Sequence, residues 1–106
     1  MPPDTLANPD ARIANWTALC AALENDVSCG PLACGLLAAV ALGLSGDSRG
    51  FARDFGIAHA LVLREVNILS GDLGLLTVTR NDERTQRRFL TLSPAGKDLT
   101  DRLTRA

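Results

Sequence analysis

Tyrosine is absent from this sequence, and its only aromatic residues are Trp16, Phe51, Phe55 and Phe89. A core must therefore be built from Leu, Val, Ile and Ala, and a chain rich in Ala and Leu leans towards helix. Histidine occurs once, at His59, and the three cysteines, Cys20, Cys29 and Cys34, form no ligand cluster with it. That inventory supplies neither a zinc site nor a paired Cys/His catalytic arrangement. There is no glycine-rich phosphate loop with its lysine, and Gly71-Asp72-Leu73-Gly74 is a connector too short for a nucleotide site. An enzyme is not expected, and no metal or cofactor is expected either.

A basic leader is also missing: the opening MPPDTLANPD has acids and prolines where a secretory signal would carry positive charge. Residues 27–46, VSCGPLACGLLAAVALGLSG, are free of charge and raise the question of a membrane span. A helix needs about 20 mostly apolar residues to cross a bilayer. Here the strongly apolar part runs from Leu32 to Leu44 between Gly, Ser and Pro flanks, so a buried helix is expected, no membrane contact, and a cytoplasmic location. In that setting the apolar-flanked cysteines read as reduced, buried thiols. The sharper alternative is a redox-sensing thiol, which needs a thiolate-stabilising neighbour that the sequence does not display.

What the chain does have is an uneven distribution of charge. With 106 residues it is long enough for one domain with a modest core, and its formal net charge is -1. Residues 1–47 hold Arg12 against Asp4, Asp10, Glu24, Asp26 and Asp47. Residues 48–88 hold Arg49, Arg53, Arg64, Arg80, Arg84, Arg87 and Arg88 against Asp54, Glu65, Asp72, Asp82 and Glu83. Such asymmetry aims one mildly basic face at a polyanion while the whole stays near neutral.

Periodicity divides the chain into an N-terminal helical segment, 1–28, for packing or dimerisation, and a domain over 29–106. Asn8-Pro9 suits an N-cap followed by proline at the first helical position. Ile13, Trp16, Cys20, Leu23 and Val27 then recur at spacings of three and four. Such a stripe fits packing within the domain and equally fits a dimer seam anchored by Trp16. A second helix, apolar all round and hence central, is predicted from Pro31 to Leu44, with Gly46 as its stop. Asp47 or Ser48 caps a short third helix ending near Asp54, and a fourth follows from Ala58 to Leu69 or a little beyond. Leu75 to Thr79 and Arg88 to Leu92 read as two strands joined by the turn-rich tip NDERTQ. Ser93-Pro94 opens a last helix with Leu99 and Leu103 on one face, completing the candidates for a dimer interface.

The central stretch SRGFARDFGIAHALVLREVNIL places Ala52, Gly56 and Val62 at A-x3-G-x5-V. In a helix-turn-helix the small Ala admits the second helix, the Gly takes a left-handed turn, and the Val fills the angle between helices. Glu65 stands where a further apolar residue is usual, so Val66 is expected to take the core role beside Val62, Leu69 and Leu73. On the opposite face lie Ala60, Arg64 and Asn67, with His59 at the flank within reach of a phosphate or a base edge. A methyl group, an Arg and an Asn are the groups that read thymine, guanine and adenine in a major groove. The same face also reads as an ordinary solvated one, or, with Leu61, Leu63 and Ile68 on its flanks, as a protein-binding surface. Arg84, Arg87 and Arg88 in the hairpin, with Arg49 and Arg53 in the third helix, are candidates for the DNA backbone or the adjacent minor groove. Asp82 and Glu83 are expected to hold those arginines by pairing.

The order of elements and four motifs resemble the MarR family, the multiple-antibiotic-resistance type of winged-helix regulators, over roughly residues 30–105. The motifs are the A-x3-G-x5-V triad, Gly74-Leu75-Leu76 before the hairpin, Asp82-Glu83-Arg84 like the family's D-x-R wing, and Leu92-Ser93-Pro94-Ala95-Gly96 like its L-T-x-x-G close. Two features depart: Asp82-Glu83-Arg84 stands about two residues farther from that close than is usual, and the chain ends near Ala106 where the family continues into further dimerising helix. The resemblance implies a mainly α fold with a small β-hairpin, a winged helix-turn-helix with an extra N-terminal and a C-terminal helix. It also implies a homodimer on pseudo-palindromic double-stranded DNA, with more of the interface on the N-terminal stripe. Many members answer to small ligands or oxidants, and no residue here identifies a small-molecule effector.

Overall fold

The structure is a computed structural model that describes residues 9–27 and 29–105. The described residues form five α-helices and one two-stranded antiparallel hairpin in the order α1 (Pro9–Asp26), α2 (Pro31–Ala41), α3 (Ser48–Phe55), α4 (His59–Asn67), β1 (Leu76–Asp82), β2 (Arg87–Leu92) and α5 (Pro94–Arg105). Pro9 does open the first helix, while the cap expected at Asn8 lies outside the described residues. None of the described helices is long and apolar enough to cross a membrane.

α2 is the hub. Seven successive residues, Ala33 to Ala39, are buried, so every face of the helix is covered. Gly35 makes this possible on the α1 side: a Cβ there would lie 3.2 Å from the Trp16 ring. The bare backbone lets the Trp16 indole Nε1 donate to the Gly35 carbonyl at 3.0 Å. Leu19, Cys20 and Leu23 follow on the same face of α1 and join one core with Leu36, Leu37, Phe51, Val62, Val66, Leu69, Leu76, Leu90 and Leu99. Each fully buried Leu or Val contributes about 1.5–3 kcal/mol relative to an exposed one.

This packing bears on both readings of the N-terminal stripe. Leu23 is wholly buried, Cys20 and Leu99 nearly so, and Trp16 and Leu103 are half-buried against the chain's own core. Cys20, Leu23 and Leu99 are therefore committed to the chain's own core, while Trp16 and Leu103 keep part of their surface. Of the six candidates Ile13 alone is largely exposed, at 62%.

The ends of α2 and α4 differ from expectation. α2 stops at Ala41, because Gly43 takes φ +72° and Leu44 N–H returns to the Ala39 carbonyl at 2.8 Å. That left-handed C-terminal closure comes three residues before Gly46, which is not the stop. α4 passes into one wide π-turn, Ile68–Asp72, with Leu73 N–H bonded to the Ile68 carbonyl at 3.0 Å. The widening keeps Leu69 buried while Gly74, at φ +63°, redirects the chain into β1.

In the hairpin, Leu76 pairs with Leu92, Val78 with Leu90, and Asp82 with Arg87, with a bulge between Val78 and Arg80. β1 runs three residues farther than the sequence pattern suggests, so the tip shrinks to residues 83–86, where Gln86 adopts φ 61°. The outer edge of β2 is held by the α2–α3 linker: Leu90 N–H donates to the Gly46 carbonyl at 2.8 Å, and Asp47 bridges Phe89. At its base, Ser93 Oγ donates to the Gly74 carbonyl at 2.6 Å and accepts from Gly96 N–H at 3.0 Å. Ser93 thus caps α5, and a side chain at Gly96 would collide with the Leu75 carbonyl.

Candidate functional site

The arginine-rich region is organised by two adjacent residues at the start of α3. Asp47 caps the helix, its Oδ1 accepting from Gly50 N–H at 2.6 Å, and its Oδ2 lies 3.7 Å from Arg87 Nη1. One carboxylate thus satisfies an orphan helix donor and holds a hairpin guanidinium.

Ser48 is fully buried, and its hydroxyl accepts Arg88 N–H at 2.9 Å and lies 2.8 Å from His59 Nε2. The buried hydroxyl needs an acceptor for its own proton, and Nε2 is the group beside it. A proton donated to Nε2 goes with a neutral His59 ring that carries its own proton on Nδ1. Burial, and then the charge of Arg49, hold its pKa below the ordinary imidazole value, with Arg87 and Arg88 adding to the effect and Asp47 opposing it. α3, α4 and β2 are joined at this one hydroxyl.

That geometry adds a structural role to the one expected for His59. It stands at the first turn of α4, and its Nε2 is engaged by Ser48 inside the molecule, so the ring also serves to position α4 against α3. Asp82 and Glu83 differ from expectation. Asp82 Oδ1 accepts the backbone N–H of Arg84 at 3.0 Å, and the Glu83 backbone carbonyl accepts from the Gln86 side chain at 2.9 Å. These bonds shape the hairpin tip; among the described residues neither carboxylate pairs with a guanidinium.

Arg49, Arg53, His59 and Arg87 come together, with Ala52 and Ile57, around an open cavity of about 360 Å³ between α3, the start of α4 and the hairpin. Arg49 also ties α3 to the hairpin tip, its Nε donating to the Thr85 carbonyl at 2.9 Å. Arg53 is exposed beside Asp54, at 3.1 Å. Arg84, at the tip, is exposed, and Arg88 is half-buried. Arg64 and Asn67 do not line the cavity. They lie farther along α4 with Ala60, all three exposed and, at spacings of four and three, on one face. The Arg64 side chain is 73% exposed, and its Nε rests 3.7 Å from Glu65.

The turn between α3 and α4 has the features its residues suggest. Ala52 and Val62 are buried, Gly56 takes φ +65°, and Ile57 N–H closes back on the Ala52 carbonyl at 2.9 Å. Val66 is buried, as the shifted apolar position requires, and the mostly covered Glu65 side chain lies 3.7 Å from Arg64. Of the flanking apolar residues, Leu61 is 47% exposed, and Leu63 and Ile68 are half-buried.

Sequence reasoning missed Ser48 as the junction, Thr85 as the anchor for Arg49, and Arg80, whose guanidinium stacks 4.1 Å over the Phe89 ring. The Asp47-Ser48 capping pair was the available signal for the first; nothing local marks the others. Among the described residues no group of three or more His, Cys, Asp or Glu side chains is placed to hold a metal ion. No family model, no curated protein and no solved structure matches this chain.

Proposed function

We propose that this chain is a sequence-specific DNA-binding transcription regulator of MarR-like winged-helix type, cytoplasmic and without catalytic activity, acting as a homodimer on a pseudo-palindromic operator. The observation that carries this reading is the exposure of Ala60, Arg64 and Asn67 along one face of α4, a helix whose first turn borders an arginine-lined cavity. Arg64 would pair with a guanine edge, Asn67 with adenine, and the Ala60 methyl with thymine. Arg49, Arg53 and Arg87 would hold phosphates, which fix register without reading sequence. Arg84 at the hairpin tip would reach the backbone or the minor groove beside it. Arg88 contributes mainly through its backbone bond to Ser48. A homodimer would be built around Ile13 and the groove that α1 and α5 form at Ala18, Leu42 and Leu103.

Selection from random duplexes tests the proposal. An enriched two-fold motif is expected, with affinity that falls linearly against salt on logarithmic axes at a slope of about 0.9 per phosphate contacted. A dimer that reads both half-sites should hold its two α4 helices about 34 Å apart. No motif and no salt-sensitive binding would reject the reading. The exposure of Leu61 beside half-buried Leu63 favours a second reading, a winged-helix module that binds protein. Retention on heparin at low salt supports the first; a co-purifying partner that leaves with Leu61→Ala supports the second.

A further inference from the structure

Cys29, in the linker between α1 and α2, and Cys34, in the first turn of α2, form a pair of thiols that the proposed DNA-binding role does not use. Cys29 Sγ and Cys34 Sγ are 3.0 Å apart, against about 2.05 Å in a formed disulfide. The two are not equivalent. Cys29 is partly open to solvent, whereas Cys34 is wholly buried in α2. Cys20, the third thiol, donates to the Cys34 carbonyl at 3.9 Å. We propose that Cys29 and Cys34 are a dithiol modification site, oxidised to an intramolecular disulfide by a low-molecular-weight disulfide and reversed by the corresponding thiol.

The chemistry follows from the difference in access. The Cys29 thiolate attacks one sulfur of the small disulfide, whose S–S bond breaks; one small thiolate leaves, and a mixed disulfide forms on Cys29. Cys34, losing its proton, then attacks the Cys29 sulfur, forming the protein S–S bond and releasing the second small thiolate. The two protein thiol protons end on the two released small thiols, and the pair has given up two electrons to the oxidant. Burial, and then its neighbour Cys29, push the Cys34 thiol up to about 12, so the second step starts from a poor nucleophile. Proximity offsets that weakness, because the target sulfur is already at contact distance. The bond requires the two sulfurs to close by about one ångström. The linker can supply this movement: a Cβ built on Gly30 meets no atom within 4 Å, so the backbone beside Cys29 has open space.

The test uses the full chain with oxidised glutathione as probe, followed by denaturing alkylation and mass spectrometry. The expected result is a loss of two hydrogens and a fall from three alkylatable thiols to one. Proteolysis after Glu24 separates Cys20 from the pair, so the two missing hydrogens must map to the fragment holding Cys29 and Cys34. Cys20→Ser should oxidise as the parent does, and Cys34→Ser should stall as a glutathione adduct on Cys29. The proposal is overturned if the parent chain retains a stable glutathione adduct with Cys34 still alkylatable, links Cys20, forms disulfide-joined dimers, or keeps all three thiols. The parent-chain mapping decides the matter even if a variant does not fold.

Discussion

The α1–α2 region and the region from Asp47 to Arg88 are held together by different physics. In the first, a helix with no polar side chain on its buried run is covered on every side by Leu, Ala, Cys and Trp, and the main directed bond is the Trp16 indole to Gly35. In the second, Asp47, Ser48, His59, Arg49 and Arg87 make a small network of bonds that run between three elements. Dispersion and water exclusion have no direction and tolerate approximate shape, while hydrogen bonds fix angle. The first region therefore supplies stability, and the second sets how the arginines and the outer face of α4 are presented.

The largest test of that contrast is Leu23→Ala. It should lower unfolding free energy in urea by about 2–5 kcal/mol while leaving DNA affinity per folded molecule unchanged. Ser48→Ala comes next. It leaves Arg88 N–H and His59 without their buried partner, and a stability loss of about 1–3 kcal/mol is expected together with weaker DNA binding. An unchanged urea midpoint for that variant would mean the junction is ornamental. Arg64→Ala should do the reverse of Leu23→Ala: no change in the unfolding midpoint, but a loss of about 1–3 kcal/mol in operator binding with relaxed preference at one base pair.

The smallest effect is a pH dependence from His59. Its native pKa is depressed by burial and then by Arg49, so the unfolded chain binds the proton more readily. Stability from this group is whole above the ordinary imidazole value of about 6.5 and declines as pH falls from there to the lower native pKa, below which the loss levels off. Melting temperatures across that window should fall more steeply for the parent chain than for His59→Gln. Parallel curves would remove His59 from the network.

The same contrast explains what could be read from the residues alone. Helix positions followed from apolar spacing and from local stops, so α1, the central placement of α2, and the buried Val62, Val66 and Leu69 were legible. Local rules were less able to rank competing stops: Gly43 and Gly46 both suit a helix end, and the choice depends on which lets Leu44 return to Ala39. The choice between self-packing and a seam was open because a stripe records that a face is apolar, not what covers it. The Asp47-Ser48 capping pair marked the start of α3, but the partners that Ser48 joins were out of reach for a different reason. Ser48 joins residues 11 and 40 positions away, and no periodic signal spans such separations. His59 looked available for ligand for the same reason: its partner could not be seen.

The wide turn at Ile68–Asp72 has an evolutionary corollary. Such a turn accommodates one residue more than regular helix would in the same space, so it works as an expansion joint between α4 and the hairpin. A related chain with one residue fewer between Asn67 and Gly74 could revert to ordinary helical winding and still deliver Leu69 inward and the hairpin to its seat. Single-residue length differences among descendants of this fold should therefore gather at that joint, and leave the segments on either side in step.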